Sequence, residues 1–383
     1  MSDKMEFKIP RTNWSDEWQS IKCTLAQDKI IYGYVLVLVL GIYVLSSFGS
    51  FDTKLQYQLS TYLGSMMHTI SVTFLLWCVY FYIHMLKNRI AHPTIYLLKA
   101  ILAFLSPLSR PLACLLILMC VSLTLSSYTY LKSIIPDLHF YQYDALFYQL
   151  DKAIHGGISP WEFTHALFSH PLATLVINFL YNLWFLIIWG VLVFFLLYRK
   201  NQTVRLRFFL TFVSCWIILG GMLGTALSSA GPCYAQLLNP LHDYYVPLLH
   251  RLAEQNQWLI DAHLPSIWAL NTQDMLWQEF LARDQGIGSG ISAMPSMHVA
   301  MAVLVALSIS VIHPIWGRVA WGFALMIQIG SVHLAWHYAI DGYASTVLTI
   351  LIWQLVTKFV RAHSVSEGAD NITTRNGSNQ HSD

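Results

Sequence analysis

The chain has 383 residues, of which 56% are apolar or aromatic and 11% charged, against about 25% charged residues in an ordinary soluble domain. Lysine and arginine total 22, aspartate and glutamate 20, and the net charge of +2 offers no basic surface for nucleic acid. These values exclude a soluble globular protein, a collagen, a coiled coil and a disulfide scaffold, and they leave an all-α polytopic membrane protein as the fold class.

In chain order, the stretches free of Asp, Glu, Lys and Arg predict eight transmembrane helices, at residues 30–49, 64–86, 112–131, 171–198, 208–230, 294–313, 316–334 and 337–359. Each approaches or exceeds the roughly 20 residues that span a bilayer, and only a helix satisfies its own backbone in lipid. Residues 1–29 form a cytoplasmic N-terminal segment. Its acidic residues Asp3, Glu6, Asp16, Glu17 and Asp28 argue against a cleavable signal. Residues 30–110 hold two additional helices with a cytoplasmic loop. Residues 111–360 hold a core of six helices with outward-facing loops at 132–170 and 231–293. Residues 361–383, rich in Ser, Asn, Gly and Asp, read as a disordered cytoplasmic tail.

With both termini cytoplasmic, the inside segments carry 17 Lys and Arg and the outside segments carry five, namely Lys54, Lys132, Lys152, Arg251 and Arg283. That asymmetry sets the expected orientation. The absence of a eukaryotic targeting signal points to a bacterial inner membrane, although a Golgi-like membrane with a lumenal site obeys the same topology. Cys78, Cys114, Cys120 and Cys215 fall inside predicted helices, Cys23 is cytoplasmic and Cys233 stands alone outside, so neither a disulfide framework nor a CxxC metal site is visible.

Chemistry concentrates at three predicted helix ends. The fifth span leaves through Gly224-Thr-Ala-Leu-Ser-Ser-Ala-Gly-Pro-Cys-Tyr234, the sixth enters through Ser292-Ala-Met-Pro-Ser-Met-His298, and the eighth begins His337-Tyr-Ala-Ile-Asp341. In the expected topology all three meet at the outer interface, the place for an enzyme or receptor site rather than a mid-bilayer transport site. Ser296 can cap a helix whose free first-turn N–H groups, with Met297 and His298, would receive phosphate oxygens. His337 and Asp341, four residues apart on a helix, would share a face, the carboxylate holding one imidazole nitrogen and leaving the other to act as nucleophile or base.

Pro295-Ser296-x-His298 followed by His337-x-x-x-Asp341 resembles the type 2 phosphatidic acid phosphatase superfamily. The stretch Tyr143-Asp-Ala-Leu-Phe-Tyr-Gln-Leu-Asp-Lys-Ala-Ile-His-Gly156 and the Ala230-Gly-Pro-Cys-Tyr234 exit are similar to its inositol phosphorylceramide synthase branch. The resemblance covers about residues 110 to 360 and leaves the first two spans as an addition. It implies a six-helix phosphatidic acid phosphatase-like core, no cofactor, no metal, and a two-step mechanism. His337 would attack phosphorus to form a phosphohistidine, Asp341 would orient it, and His298 would protonate the leaving oxygen and then activate the acceptor.

The chain departs from the phosphatase pattern at two cations. Ser331 stands where that pattern has an Arg six residues before the attacking His, and Arg110-Pro111 lacks the spaced Lys. A cation-poor site suits a diester carrying one negative charge better than a monoester carrying nearly two. The leading expectation is therefore transfer of a phosphorylated, inositol-phosphate-like head group from a phospholipid or other lipid-phosphate donor to a lipid or sugar alcohol, with membrane lipids as the surroundings and no nucleic-acid partner. A lipid phosphatase is the second reading, and a non-catalytic lipid-binding or transport protein the third. Arg283 is the nearest outside cation in sequence, with Arg251 and Lys152 behind it. Tyr234 and His333 join Ser296, Met297 and Arg283 as candidate substrate-binding residues.

Plainer readings stand beside these. His333, four residues before His337, permits a metal set with His298 and Asp341. His139, His155, His165, His170, His242, His250 and His263 read as solvated or loop-packing. Asp144 and Asp151 lie on one face of an amphipathic interfacial helix with a structural duty. The aromatic residues of the 231–293 loop, among them Tyr244, Tyr245, Trp258, Trp268, Trp277 and Phe280, read as interfacial anchors or as a lid, and Gly220-x-x-x-Gly224 as close helix packing.

Overall fold

The computed structural model describes residues 13–49, 51, 54–57, 59–90, 92–283 and 290–378, and among these every regular element is a helix. The chain forms two compact units, one comprising Met1–Phe48, Gln56–Ser127 and Trp189–Tyr198, the other Gly49–Leu55, Tyr128–Ile188 and Arg199–Asp383.

In the first unit, α1 (Trp14–Gln27) leads directly into α2 (Lys29–Phe48), and α3 (Leu59–Lys87) is followed by α4 (Pro93–Leu105) and by α5 (Ser109–Ser133) as far as Ser127. α1 is amphipathic. Its buried Glu17 accepts the backbone N–H of Leu108, and Ser20 meets Ser109 at 2.9 Å, so its polar face is tied to the start of α5. Phe81 of α3 stacks on Tyr96 of α4, 5.8 Å between centroids.

The second unit carries a one-turn α6 (Ile135–Leu138), then α7 (Asp144–Ile154), α8 (Pro160–Leu167) and most of α9 (Pro171–Leu197). α8 starts where sequence chemistry dictates: Ser159 and Glu162 form a capping box and Pro160 fills the first helical position, whose N–H would otherwise lack an acceptor. α10 (Gln202–Ser214), capped by the Asn201 side chain, widens into a π-helix at Cys215–Leu223 and closes with the single turn α11 (Gly224–Ala226). The stretch expected to be one loop from 231 to 293 is largely helical, with α12 (Ala235–Leu238), α13 (Val246–Asp261) and α14 (Trp268–Ala282). Residues 284–289 lie outside the described set. The chain finishes with α15 (Met297–Ile312), α16 (Pro314–His333) and α17 (Ala339–Ser378), and α15 packs against α10, α16 and α17 at the centre of the unit.

Among the described residues, seven helices are long and apolar enough to cross a membrane: Lys29–Phe48, Leu59–Lys87, Ser109–Ser133, Pro171–Leu197, Gln202–Ala226, Pro314–His333 and Ala339–His363. The eighth expected span is the 16-residue α15, shortened by an extended entry at Ser292–Ser296 and by the turn at His313-Pro314. Together they make an all-helical polytopic membrane protein of about eight helices. α17 continues through Ser378, into the stretch expected to be a disordered tail, and residues 379–383 lie outside the described set.

Candidate functional site

Ser296 takes extended backbone and caps α15, its hydroxyl accepting the N–H of Val299 while its carbonyl accepts that of Ala300. The first-turn N–H groups of Met297 and His298 are thus the ones without an intrahelical acceptor. The Ser296 N–H itself donates to the carbonyl of Asp341 at 3.3 Å, so the starts of α15 and α17 are joined directly.

The expectation that His337 and Asp341 share a helix face needs correction. His337 lies ahead of α17, which begins at Ala339. Asp341 occupies the third helical position and reaches back: one oxygen accepts the N–H of Tyr338, the residue flanking the helix start, at 3.1 Å, and lies 3.2 Å from Nδ1 of His337. The contact is made by the helix-start geometry of a capping box rather than by i to i+4 stacking. Its chemical content is unchanged, because an imidazole whose Nδ1–H is held by a carboxylate presents Nε2 outward.

The turn that delivers His337 is held from several sides. The N–H groups of Trp336 and His337 both donate to the carbonyl of Ser331, at 2.9 and 3.1 Å, and Ala335 sits at φ +60°, in the left-handed region. Gly231, at φ +88°, passes so close that a Cβ there would stand 2.9 Å from both the carbonyl oxygen of Trp336 and the side chain of Ala293. The Ala230–Gly231 exit, the entry to α15 and the His337 turn therefore meet, as the three motif ends require.

His298 faces His337 with ring centroids 6.4 Å apart and planes at 60°, a spacing that admits one tetrahedral anion between two imidazoles. Aromatic residues of α9 enclose His298: Tyr181 stacks on it at 4.9 Å, Trp184 lies 4.4 Å away, and the Trp184 indole N–H donates to the His298 carbonyl at 2.8 Å. His337 and Asp341 are buried. Lys132, in the last turn of α5, interacts electrostatically with His298 and is balanced by Glu279.

Two aspartates of α7 hold the backbone of this site. Asp144 accepts the N–H groups of Ala230 and Gly231 at 3.0 and 2.8 Å and the hydroxyl of Tyr338 at 2.9 Å. Asp151, seven residues and two turns later, accepts the N–H groups of Ala339 and Ile340 at 2.7 and 2.9 Å, the first two of α17. Burial raises the pKa of both carboxyls, and these N–H donors work against that rise. The Tyr338 hydroxyl is pushed well above the ordinary tyrosine range by burial and then by Asp144.

The remaining sequence candidates sit elsewhere in the unit. His333 stacks face to face on His165 at 3.8 Å, with its ring nitrogens on Thr174 (2.9 Å) and Thr164 (3.2 Å), while His165 Nε2 donates to the His333 carbonyl at 3.0 Å. Tyr234 is buried, its hydroxyl donating to the Gln273 carbonyl at 3.0 Å and its ring stacked on Trp277. Met297 is buried, its sulfur beside Gly220, whose missing side chain makes room chiefly for the ring of Tyr128. Arg283 is more than half exposed and lies 3.9 Å from Asp137. Arg251 is turned to the carbonyl of His165 at 3.4 Å.

Sequence reasoning missed Tyr181, Trp184 and Lys132 and read Asp144 and Asp151 only as one helix face. The seven-residue spacing of those aspartates, both on the buried side of a short amphipathic helix, was the signal that they serve something within the protein.

A family model described as the PAP2 superfamily matches residues 145–355, more than half of the chain, including His298, His337 and Asp341. No curated protein and no solved structure matches.

Proposed function

The chain belongs to the PAP2 superfamily, and from that premise we propose that it is a membrane phosphotransferase working through a phosphohistidine on His337. The observation that carries the reading is the meeting of two imidazoles and one carboxylate, with His298 6.4 Å from His337 and His337 held by Asp341 at 3.2 Å.

In the first half-reaction the Nε2 lone pair of His337 forms a bond to phosphorus as the bond to the leaving oxygen breaks. Protonated His298 gives its proton to that oxygen, releasing a lipid alcohol. Asp341 balances the positive charge that grows on the attacking ring. In the second half-reaction neutral His298 removes the proton of the acceptor hydroxyl, the acceptor oxygen bonds to phosphorus, and the N–P pair returns to His337. The free N–H groups of Met297 and His298 suit the equatorial oxygens.

The charge inventory favours a diester donor. Arg251 and Arg283 are turned to His165 and Asp137, and Lys132 is the cation acting on His298. A site whose nearby lysine is already offset by Glu279 suits the single charge of a phosphodiester better than the near-double charge of a monoester. The proposed donor is a phospholipid with an inositol-phosphate-like head group, the acceptor a lipid or sugar alcohol, and the reaction is of the inositol phosphorylceramide synthase kind. The lysine and arginine asymmetry supports an extracytoplasmic site with both termini cytoplasmic.

The test uses purified full-length protein in nanodiscs. A phosphodiester donor with a polyol or lipid alcohol should yield a new phospholipid, a phosphatidic acid-type monoester should release little inorganic phosphate, and His337→Ala should abolish turnover while remaining folded. Rapid phosphate release would instead assign a lipid phosphatase, and full activity of His337→Ala would remove the mechanism.

A further inference from the structure

Tyr181 carries a hydroxyl that the fold does not use. The residue is 4% exposed, and its phenolic oxygen has no hydrogen-bond partner among the described residues. A hydroxyl in that state costs the full loss of its hydration. Tyr141, Tyr234 and Tyr338 of the same unit find acceptors on the Ile291 carbonyl, the Gln273 carbonyl and Asp144, while the buried Tyr245 hydroxyl, like that of Tyr181, has none among the described residues; of these two it is Tyr181 whose ring lies against His298.

The ring is also held in place with little latitude. One contact is the stack on His298, 4.9 Å between centroids and 22° between planes. Another is Gly330 of α16, where an added Cβ would stand 2.9 Å from the Tyr181 ring. A side chain at residue 330 would displace the phenol, and the phenol is wedged against His298. A buried polar group without a partner calls for an explanation, and a bound anion beside the imidazole it packs on is one.

We propose that the Tyr181 hydroxyl is a ligand for the transferring group, donating a neutral hydrogen bond to a phosphoryl oxygen held between His298 and His337. This rests on the phosphotransferase reading and deepens it by naming an uncharged donor in a site poor in cations. A neutral donor adds no positive charge that would compete with protonation of His298 beside it.

Tyr181→Phe removes one oxygen and keeps the ring stacked on His298. Orthovanadate, a phosphoryl-transfer analogue, serves as the probe, with binding measured by calorimetry, turnover by head-group transfer, and folding by thermal denaturation in the same nanodiscs. The expected result is vanadate affinity weakened at least 10-fold and kcat/KM lowered 10- to 100-fold, with a melting temperature equal to or above that of the wild type. A lowered melting temperature with vanadate affinity intact would show that the hydroxyl has a structural partner and overturn the proposal, as would no change in any readout. Failure of the underlying reading gives a different pattern: wild type binds no vanadate and His337→Ala retains activity, in which case both fall together.

Discussion

The carboxylate of Asp144 receives the hydroxyl of Tyr338 at 2.9 Å, joining a helix early in the second unit to the residue that follows His337. With Asp151 on the first two amides of α17, α7 sets where the His337–Asp341 pair stands. Asp151→Ala should therefore remove two charge-assisted hydrogen bonds and destabilise the fold by about 3 kcal/mol. It should also lower kcat roughly 10- to 100-fold with KM within about threefold, since a misplaced nucleophile costs rate before binding. Asp151→Asn, whose single amide oxygen can accept one of the two N–H groups while its NH2 faces the other, should recover only part of both. A kcat equal to wild type in a folded Asp151→Ala protein would refute the clamp.

Asp341 has two duties, orienting His337 and closing the start of α17. Asp341→Asn keeps an oxygen for the Tyr338 N–H but loses the charge that steadies the imidazolium. By comparison with the serine-protease triad, where the equivalent change costs about 10⁴ in kcat, we expect a fall of about 10³- to 10⁴-fold with a small change in melting temperature. Trapping of phosphohistidine by rapid quench should fall in parallel. A loss below tenfold would reduce Asp341 to a helix cap.

Burial lowers the pKa of His165 to about 4 from its ordinary 6.5, helped by Arg251 and resisted by its hydrogen bond to the His333 carbonyl. Between those two values the unfolded chain binds the proton that the folded chain refuses, so stability rises with pH across the window and is lost on acidification. The buried Asp144 and Asp151, whose pKa values are raised, slope the opposite way. The difference between wild type and His165→Gln therefore reports the stacked His165–His333 pair. The wild-type melting temperature should fall more steeply from about pH 7 to 4 than that of the variant, and parallel curves would contradict the assignment.

Ala335 holds a left-handed conformation, φ +60°, two residues before His337. An L-residue there costs about 1 kcal/mol that glycine does not pay. Ala335→Gly should hold or raise the melting temperature by a few degrees with kcat intact, and Ala335→Val should lower both. If Ala335→Gly instead melted lower, the left-handed turn would not be where the strain resides.

The eight apolar helices were legible because charge is so expensive in lipid that gaps between Asp, Glu, Lys and Arg mark them. The Ser296 cap was legible because a Ser just ahead of a long apolar run is a helix-start signal. What escaped was geometry set by tertiary contact. The two-residue delay between His337 and the start of α17 depends on Ala335 turning left-handed and on Ser331 receiving two amides, neither of which a periodic pattern encodes. Tyr181 and Trp184 lie in an apolar run where aromatic residues meet lipid as readily as a site. Lys132 read as a loop charge because Glu279, the carboxylate acting on it, is 147 positions away in the chain.

The π-helical stretch Cys215–Leu223 acts as a phase setter for everything after it. Each residue of an ordinary helix advances the chain by about 100°, and a π turn takes up an added residue that α pairing would have expressed as that rotation of the downstream exit. Gly224, where an added Cβ would stand 3.0 Å from the Ser292 hydroxyl, and Gly231, which passes the Trp336 carbonyl, both lie on that exit. The width of this helix thus bears on where the exit meets the entry to α15 and the His337 turn.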